Sequence, residues 1–268
     1  MRNFSIILLA CMAFACKNNT QKEVVTKETE KVEMAMATSY PETLENVFAA
    51  HGGLKNWKKQ RTLSYEIPKS DLKELHTIDL WTRNDRIDTE KFAMGSNGSK
   101  VWLLDVAENY EGDAVFYHNL MFYFYAMPFV LADDGINYGE TEDLVYDGKS
   151  YPGIRISYDS GVGTSPKDEY FIHFDAETHK MTWLGYTVTY RTGEISDNVK
   201  WIRYDDWQDV EGLNLPKSIT WHNYEGTKIL DARSTVNFEN ISLSTAAKPE
   251  GYFAKPDDAI FVEAKKKQ

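Results

Sequence analysis

The feature that most constrains the fold is an uncharged apolar run, residues 120–132, inside the stretch NLMFYFYAMPFVLADD. A helix that crosses a bilayer needs about 20 apolar residues, so this run is too short to span one. Pro128 lies inside the run, and proline removes a backbone donor and strains a continuing helix. We therefore predict a buried helix that begins after the capping residue Asp113 and breaks near Met127.

The chain beyond residue 40 has, for most of its length, the alternating pattern of β-strands. Stretches such as TLSYEI and ELHTIDLWTR alternate apolar with polar residues and are separated by turn sequences. Helical spacing occurs in PETLENVFAAHGG, where Gly52-Gly53 is expected to end a helix. We predict a mainly β (α+β) fold of about ten strands. The expected architecture is a strongly curved antiparallel sheet, an open or half β-barrel, wrapped around the helical segments.

The N-terminal sequence MRNFSIILLACMAFACKNNT has the features of a secretory signal, with Arg2 followed by a short apolar stretch and small residues. Two cysteines compete as the acylation site of a lipoprotein signal. Cys11 follows Leu-Leu-Ala, the better match to the usual lipobox, whereas Cys16 ends a longer apolar stretch and opens into polar sequence. We expect lipidation at Cys16, with a signal peptide over residues 1–15, so that the mature chain is anchored to a membrane.

Composition defines the other segments and excludes several partners. Residues 16–40 are charged and poor in large apolar residues, which predicts a flexible tether. The remaining residues, 41–268, suffice for a single domain with a proper core. A net charge of −11 argues against a nucleic-acid partner. The folded part has no cysteine and the six histidines lack metal-ligand spacing, so we expect no metal and no cofactor.

The apolar run also suggests where a ligand could bind. Residues spaced by three or four positions share one face of a helix, and methionine and aromatic side chains suit a pocket for varied acyl chains. Seven residues are expected to line one cavity, five from the helical run and two from strands: Phe116, Leu120, Phe124, Met127, Leu131, Trp102 and Trp183. The competing interpretation is that the same residues interlock with the sheet and leave no void.

Three phrases closely resemble an uncharacterised lipoprotein family of Bacteroidota: HNLMFYFYAMPFVLAD, YPGIRISYDSGVGTSPKDEYFIHFDAETHK and EGLNLPKSITWH. The N-terminal cysteine, the helix ending AAHGGLKNW and the sheet interrupted by one apolar helix resemble the LolA-like superfamily. That group contains periplasmic lipoprotein carriers and lipid-binding lipoproteins. The resemblance implies a half-barrel with a helical lid and a hydrophobic cavity for acyl chains, and it implies no catalytic residues.

These observations favour a non-enzymatic lipoprotein of the cell envelope, anchored in the outer membrane and facing the periplasm or the surface. Its expected ligand is a lipid or another apolar molecule, because few polar groups converge within the apolar stretches. Two alternatives stay open. A structural or assembly lipoprotein would have a filled interior and no small ligand. A secreted hydrolase would need a buried carboxylate or histidine with a shifted pKa in a cleft.

Overall fold

The computed structural model describes residues 40–159, 167–189 and 198–265. The chain divides into two units, Met1–Tyr40 and Pro41–Gln268. The expected signal peptide, the acylated Cys16 and the tether lie outside the described residues, apart from Tyr40. Within the described ranges, no helix is long and apolar enough to cross a membrane.

Two short helices open the second unit. Helix α1 spans Glu42–Ala50 and α2 spans Leu54–Lys59. The glycine pair between them ends α1 as predicted, since Gly52 and Gly53 both have left-handed backbone angles, with φ of 97° and 88°. Only glycine fits at Gly52 for a second reason: an added Cβ would lie 2.1 Å from the carbonyl oxygen of Gly212. This close approach brings α1 against the turn of a distant β-hairpin.

In the described ranges the strands form two seven-stranded sheets and one separate hairpin, and every paired strand there is antiparallel. In spatial order, the first sheet contains β15 (Glu239–Ser244), β1 (Thr62–Pro68), β2 (Lys73–Asp79), β3 (Asp85–Asp88), β4 (Ala93–Ser96), β5 (Val101–Leu104) and β16 (Ile260–Phe261). The second contains β14 (Lys228–Asn237), β13 (Leu213–Glu225), β12 (Lys200–Val210), β11 (Met181–Tyr186), β10 (Tyr170–Phe174), β9 (Gly153–Tyr158) and β6 (Ile136–Gly139). The separate hairpin pairs β7 (Leu144–Tyr146) with β8 (Lys149–Tyr151).

The mainly β, antiparallel prediction is confirmed, and neither sheet closes into a barrel. Among the described residues the sixteen strands exceed the expected ten. Most of the additional strands have only two to four residues, as in β4, β6, β7, β8 and β16, and segments this short show no clear period. Turn chemistry closes two of the hairpins: Asp147-Gly148 and Glu211-Gly212 each place two consecutive residues at positive φ, as tight hairpin turns require.

One residue separates the edge strands of the two sheets. Strand β14 ends the second sheet at Asn237, strand β15 begins the first at Glu239, and Phe238 lies between them. Phe238 is buried and its ring contacts Tyr65 of β1, with the ring centroids 5.4 Å apart. The chain therefore passes from one sheet to the other through a buried aromatic residue.

Residues 114–132, which we name the central helical segment, contact both sheets. The segment consists of α3 (Ala114–Tyr117), α4 (Leu120–Tyr125) and a 3-10 turn (Phe129–Ala132). As predicted, the Asp113 side chain caps its start, accepting hydrogen bonds from the backbone N–H groups of Val115 and Phe116 at 3.0 and 3.2 Å. The predicted single helix is wrong in one respect: it is already broken at Asn119, before the expected break beside Pro128.

Candidate ligand-binding site

The central helical segment contacts the second sheet mainly through aromatic rings. Phe124 packs edge-on against Trp221, with ring centroids 5.6 Å apart, and lies 5.3 Å from the ring of Tyr186. The hydroxyl of Tyr204, which is fully buried, donates a 2.8 Å hydrogen bond to the carbonyl oxygen of Phe124. Tyr138 of β6 donates a second hydrogen bond, to the carbonyl oxygen of Leu131 at 2.6 Å. The ring contacts are largely non-directional, so this side of the segment is an apolar surface fixed by two tyrosine hydroxyls.

The contact with the first sheet includes apolar packing of Ala114 and Tyr125, and its polar part centres on Glu74 of β2, whose side chain is only 2% exposed. The Tyr117 hydroxyl donates to its carboxylate at 2.8 Å, Lys69 Nζ at 2.5 Å and the His76 ring at 3.1 Å. Burial raises the pKa of Glu74, but the hydrogen bonds from His76 and Lys69 outweigh burial and hold this pKa below its usual value. The carboxylate is therefore ionised and fully partnered.

A second polar contact lies further along the same face of the first sheet. His118, which follows α3, donates from Nδ1 to Asp85 Oδ2 at 2.7 Å. The other oxygen, Asp85 Oδ1, is buried with no hydrogen-bond partner in the described residues, and burial raises the pKa of this carboxyl. The hydroxyls of Tyr65 and Tyr125, whose rings stack at 4.5 Å, share that unpaired state. Each unpaired buried polar atom costs about 1–3 kcal/mol of stability. The hydrogen-bonding groups between the segment and the first sheet are therefore less fully satisfied than those toward the second sheet.

A cavity of about 420 Å³ opens at the C-terminal end of the central helical segment. Its floor is apolar and its rim is charged. The floor is formed by Leu54, Trp57, Leu80 and Phe129, and the rim includes Lys58, Trp81, Arg83, Asp133 and Asp134. Phe129 stacks on Trp57 with ring centroids 4.8 Å apart, so the segment itself forms one wall. A smaller cavity of about 290 Å³ lies near Glu74 and Tyr117.

The five predicted contacts on the central helical segment do not share one open cavity wall. Phe124, Met127 and Leu131 are buried in packed surroundings, whereas Phe116 and Leu120 are half-buried. None of the five lines either of the two cavities described above. The break at Asn119 and the end of α4 at Tyr125 interrupt the helical spacing, so only Leu120 and Phe124 lie in the same helix.

Trp102 does not face the central helical segment, contrary to the prediction. Successive residues of a strand point to opposite faces of the sheet. Leu103 packs in the cluster that contains Ala114 of the segment, and Trp102 lies on the opposite face. There the fully buried indole donates a 3.1 Å hydrogen bond to the carbonyl of Phe253. The C-terminal segment, rather than a ligand cavity, covers this tryptophan.

Trp183 also lies on the face of its sheet that points away from the central helical segment. The prediction that the two tryptophans face this segment across a cavity is therefore wrong. It is fully buried and packs with Trp201 and Tyr151, under the β7–β8 hairpin. Its strand neighbours on the other face are Leu184 and Tyr186, and Tyr186 contacts Phe124. The period of two identified the correct strand in both cases but the wrong side.

The polar residues beneath the central helical segment were missed by the sequence analysis. Glu74 and His76 are two positions apart in β2 and share the buried face with Ile78, in a strand read only as alternating. A carboxylate and an imidazole at adjacent inward positions are a signal that could have been noticed. In the described part of the chain, no three His, Cys, Asp or Glu side chains are grouped as a metal site.

A family described as being of unknown function, DUF6503, matches residues 3–237. The chain belongs to this family. The DUF6503 match ends at Asn237, the last residue of β14, so β15 and the C-terminal segment lie beyond it. No functionally curated protein sequence matches the chain.

Similar solved structures include three bacterial proteins. A LolA superfamily protein from Nitrosomonas europaea is 9% identical, with 75% of this chain and 96% of that chain covered at a TM-score of 0.45. A DUF1329 family protein from Desulfovibrio piger is 11% identical, with 78% of this chain and 97% of that chain covered at a TM-score of 0.47. A Vibrio parahaemolyticus domain described as a putative outer membrane lipoprotein-sorting protein is 8% identical, with 75% of this chain and 93% of that chain covered at a TM-score of 0.43. A member of the expected LolA superfamily is thus among the similar structures. The identity and the TM-score are too low to assign a function to this chain from it.

Proposed function

We propose that this protein is a lipid-anchored, non-catalytic protein of the cell envelope that binds a lipid or another apolar ligand in place of the central helical segment. The observation that carries the proposal is the unequal attachment of that segment. The segment meets the second sheet through aromatic rings and the first through a polar cluster as well as apolar packing, and the 420 Å³ cavity lies at its end. A ligand that wedges in at Phe129 would separate the segment from the sheets.

The chemistry of the two sides supports displacement of the segment. An acyl chain can replace Phe124 against Trp221 and Tyr186, since hydrophobic contact has little directional requirement. On the other side, water that enters when the segment moves can hydrogen-bond the unpaired oxygens of Tyr65 and Asp85, which recovers part of their desolvation cost. Binding would then shift a closed arrangement toward an open one.

The polar cluster argues for binding rather than for hydrolysis. A general acid or base needs a pKa near the working pH and a free position for the reacting proton. Glu74 borders the smaller cavity, but its pKa is lowered and its oxygens are occupied by Lys69, His76 and Tyr117. Asp85 has a raised pKa but lines neither of the two cavities. Burial also raises the pKa of Asp133, which lines the larger cavity, but this carboxylate is paired with Arg83.

Anchoring through acylated Cys16 is part of the same proposal. The lipid attached to Cys16 would hold the protein at a membrane, which we propose is the outer membrane. The domain would then lie on its periplasmic or its outer surface. The structural alternative, an assembly protein without a ligand, is favoured by one observation: Phe124, Met127 and Leu131 are buried and line neither of the two cavities described above.

The test is direct detection of bound lipid. The full chain, purified from membranes, would be analysed by native mass spectrometry with parallel lipid extraction, and titrated with a fluorescent fatty acid. We expect a co-purifying lipid and saturable fatty-acid binding that unlabelled fatty acid reverses. A chain that carries no lipid besides its own anchor and binds no fatty acid would leave the assembly role as the better account.

A further inference from the structure

A basic face with an exposed tryptophan borders the larger cavity, which Lys58 and Trp81 help to line. Helix α2 places Lys55, Lys58 and Lys59 at positions i, i+3 and i+4, which share one side of a helix, and all three are exposed. The opposite side of α2 carries Trp57, which is buried against Phe129. The helix therefore presents a cluster of positive charge on a protein whose net charge is −11.

Trp81 lies beside these lysines and is 60% exposed, more than any other aromatic side chain in the described ranges. Its indole donates a 3.2 Å hydrogen bond to the carbonyl of Lys58, and the Arg61 guanidinium lies 4.5 Å from its ring centre. The ring is thus joined directly to the end of α2. We name Lys55, Lys58, Lys59 and Trp81 the basic face.

The loop that carries Trp81 is held in place rather than loose. Asp79 Oδ1 accepts hydrogen bonds from the backbone N–H groups of Trp81 and Thr82 at 3.0 and 2.9 Å, and Asp79 Oδ2 pairs with Arg61 at 2.7 Å. A fixed, solvent-exposed tryptophan loses no further order when it meets a partner, and such exposed aromatic surface is typical of interaction sites.

The charge balance of the basic face identifies the partner. Arg61 and Arg83 are paired with Asp79 and Asp133. The three lysines face one further acid at the cavity, Asp134, so a surplus of two positive charges remains. Tryptophan is enriched where a protein meets the headgroup level of a bilayer, and lysine clusters bind anionic lipids. An acidic protein would match the lysines equally, but it would give no role to the cavity that Lys58 and Trp81 help to line.

We propose that the basic face docks on a bilayer surface of anionic headgroups, with Trp81 at the headgroup level and the mouth of the cavity toward the acyl chains. This inference rests on the proposed function for its purpose, since docking would let an apolar ligand pass between bilayer and protein without crossing water. The docking itself depends only on charge and on Trp81. It is distinct from the anchor at Cys16, which holds the chain near a membrane without orienting the domain.

The experiment measures contact between the face and the bilayer in the full acylated chain. An environment-sensitive fluorophore is attached at Thr82→Cys, an exposed position next to Trp81, in a chain that also carries Cys11→Ser. Acylation blocks Cys16, so the new thiol is the single labelled site. The protein is reconstituted into vesicles of phosphatidylcholine, with or without phosphatidylglycerol, containing a spin-labelled quencher lipid. A probe at Val145→Cys, on the β7–β8 hairpin, reports on a distant exposed surface.

We expect quenching at position 82 in the anionic vesicles, little in phosphatidylcholine alone, and little at position 145 in either. Replacing Lys55, Lys58 and Lys59 by glutamine should lower the docking equilibrium constant on the order of 100-fold, at the usual contribution of a lysine near an anionic surface. The control is glutamine at three exposed lysines elsewhere, Lys100, Lys217 and Lys228, which should leave quenching unchanged. Circular dichroism confirms that both variants fold.

Several results would overturn the proposal. These are the absence of quenching at position 82, equal quenching in both vesicle types, or an equal loss of quenching in the control variant. Retention of the chain on an acidic peptide without vesicle docking would assign the face to a protein partner instead. The two hypotheses can fail independently. If the protein docks on vesicles but binds no fatty acid, the proposed ligand binding is refuted and the docking surface is still supported.

Discussion

The Nε2 atom of His51 accepts a 3.0 Å hydrogen bond from the backbone N–H of Met181. The other ring nitrogen, Nδ1, donates to the carbonyl of Asn214 at 3.1 Å, so both nitrogens are satisfied only while the ring is neutral. Burial lowers the pKa of His51 from 6.5 to about 4, although the hydrogen bond to Asn214 opposes that shift. One imidazole therefore ties the end of α1 to β11 and β13 of the second sheet.

Protonation of His51 should destabilise the fold. Because its folded-state pKa is lowered, the unfolded chain takes up the proton first, and the stability present above pH 6.5 is lost as the pH falls toward about 4. A shift of this size corresponds to roughly 3 kcal/mol. We expect urea unfolding to show this loss in the wild type and a smaller one in His51→Gln, while His173 contributes equally to both proteins. Identical pH profiles would refute this role.

The hydrogen bond from Tyr204 to Phe124 should oppose displacement of the central helical segment. Tyr204→Phe removes the donor and leaves the buried carbonyl unpaired, at about 1–3 kcal/mol of stability. If the ligand takes the place of the segment, the same change should tighten fatty-acid binding by roughly tenfold, because the open arrangement becomes easier to populate. Tyr224→Phe, in β13, serves as the matched control. Weaker binding in Tyr204→Phe would contradict displacement.

Phe124 lies in packed surroundings, so its truncation should be costly. We expect Phe124→Ala to lower the free energy of unfolding by about 3–5 kcal/mol, the usual range for a buried phenylalanine, because Trp221 and Tyr186 lose a partner ring. Denaturant unfolding measures the loss. A cost below about 1 kcal/mol would show instead that the ring borders open space, as a cavity wall would.

Glu74 should be important for stability because three partners point at one buried carboxylate. Glu74→Gln removes the charge and turns one carboxylate oxygen into an NH2 donor, so either Lys69 or the pair of Tyr117 and His76 loses its acceptor, and we expect a loss of about 3–5 kcal/mol. The matched control is Glu66→Gln on the neighbouring strand, whose ion pair with Lys73 is near the surface and should cost at most about 1 kcal/mol. If thermal unfolding shows the same loss of stability for Glu74→Gln and Glu66→Gln, the Glu74 cluster contributes no more to stability than a surface ion pair.

The lipid anchor is tested by metabolic labelling. Incorporation of labelled palmitate should be lost in Cys16→Ala and retained in Cys11→Ala, because Cys16 ends the longer apolar stretch. Labelling that persists in the first variant and disappears in the second would assign the anchor to Cys11.

The sequence was sufficient where the signal is local. The Asp113 cap, the glycine pair after α1 and the strand periods depend on neighbouring residues, and each was predicted. Position on a sheet face is not local: the period of two says that Trp183 and Leu184 point to opposite sides, but not which side meets the central helical segment. The contacts of His118 with Asp85 and of Tyr117 with Glu74 join parts of the chain more than thirty residues apart, and no short-range pattern encodes them.

The pairing of β1 with β15 has a consequence for how the protein is made. Thr62 pairs with Ser244, so an early strand of the domain finds its neighbour only after nearly the whole chain has been synthesised. Such long-range pairing slows folding. A chain that stops before Glu239 would expose the N–H and C=O groups of β1 along a bare edge, and the expected product of premature termination is an aggregate rather than a smaller working domain.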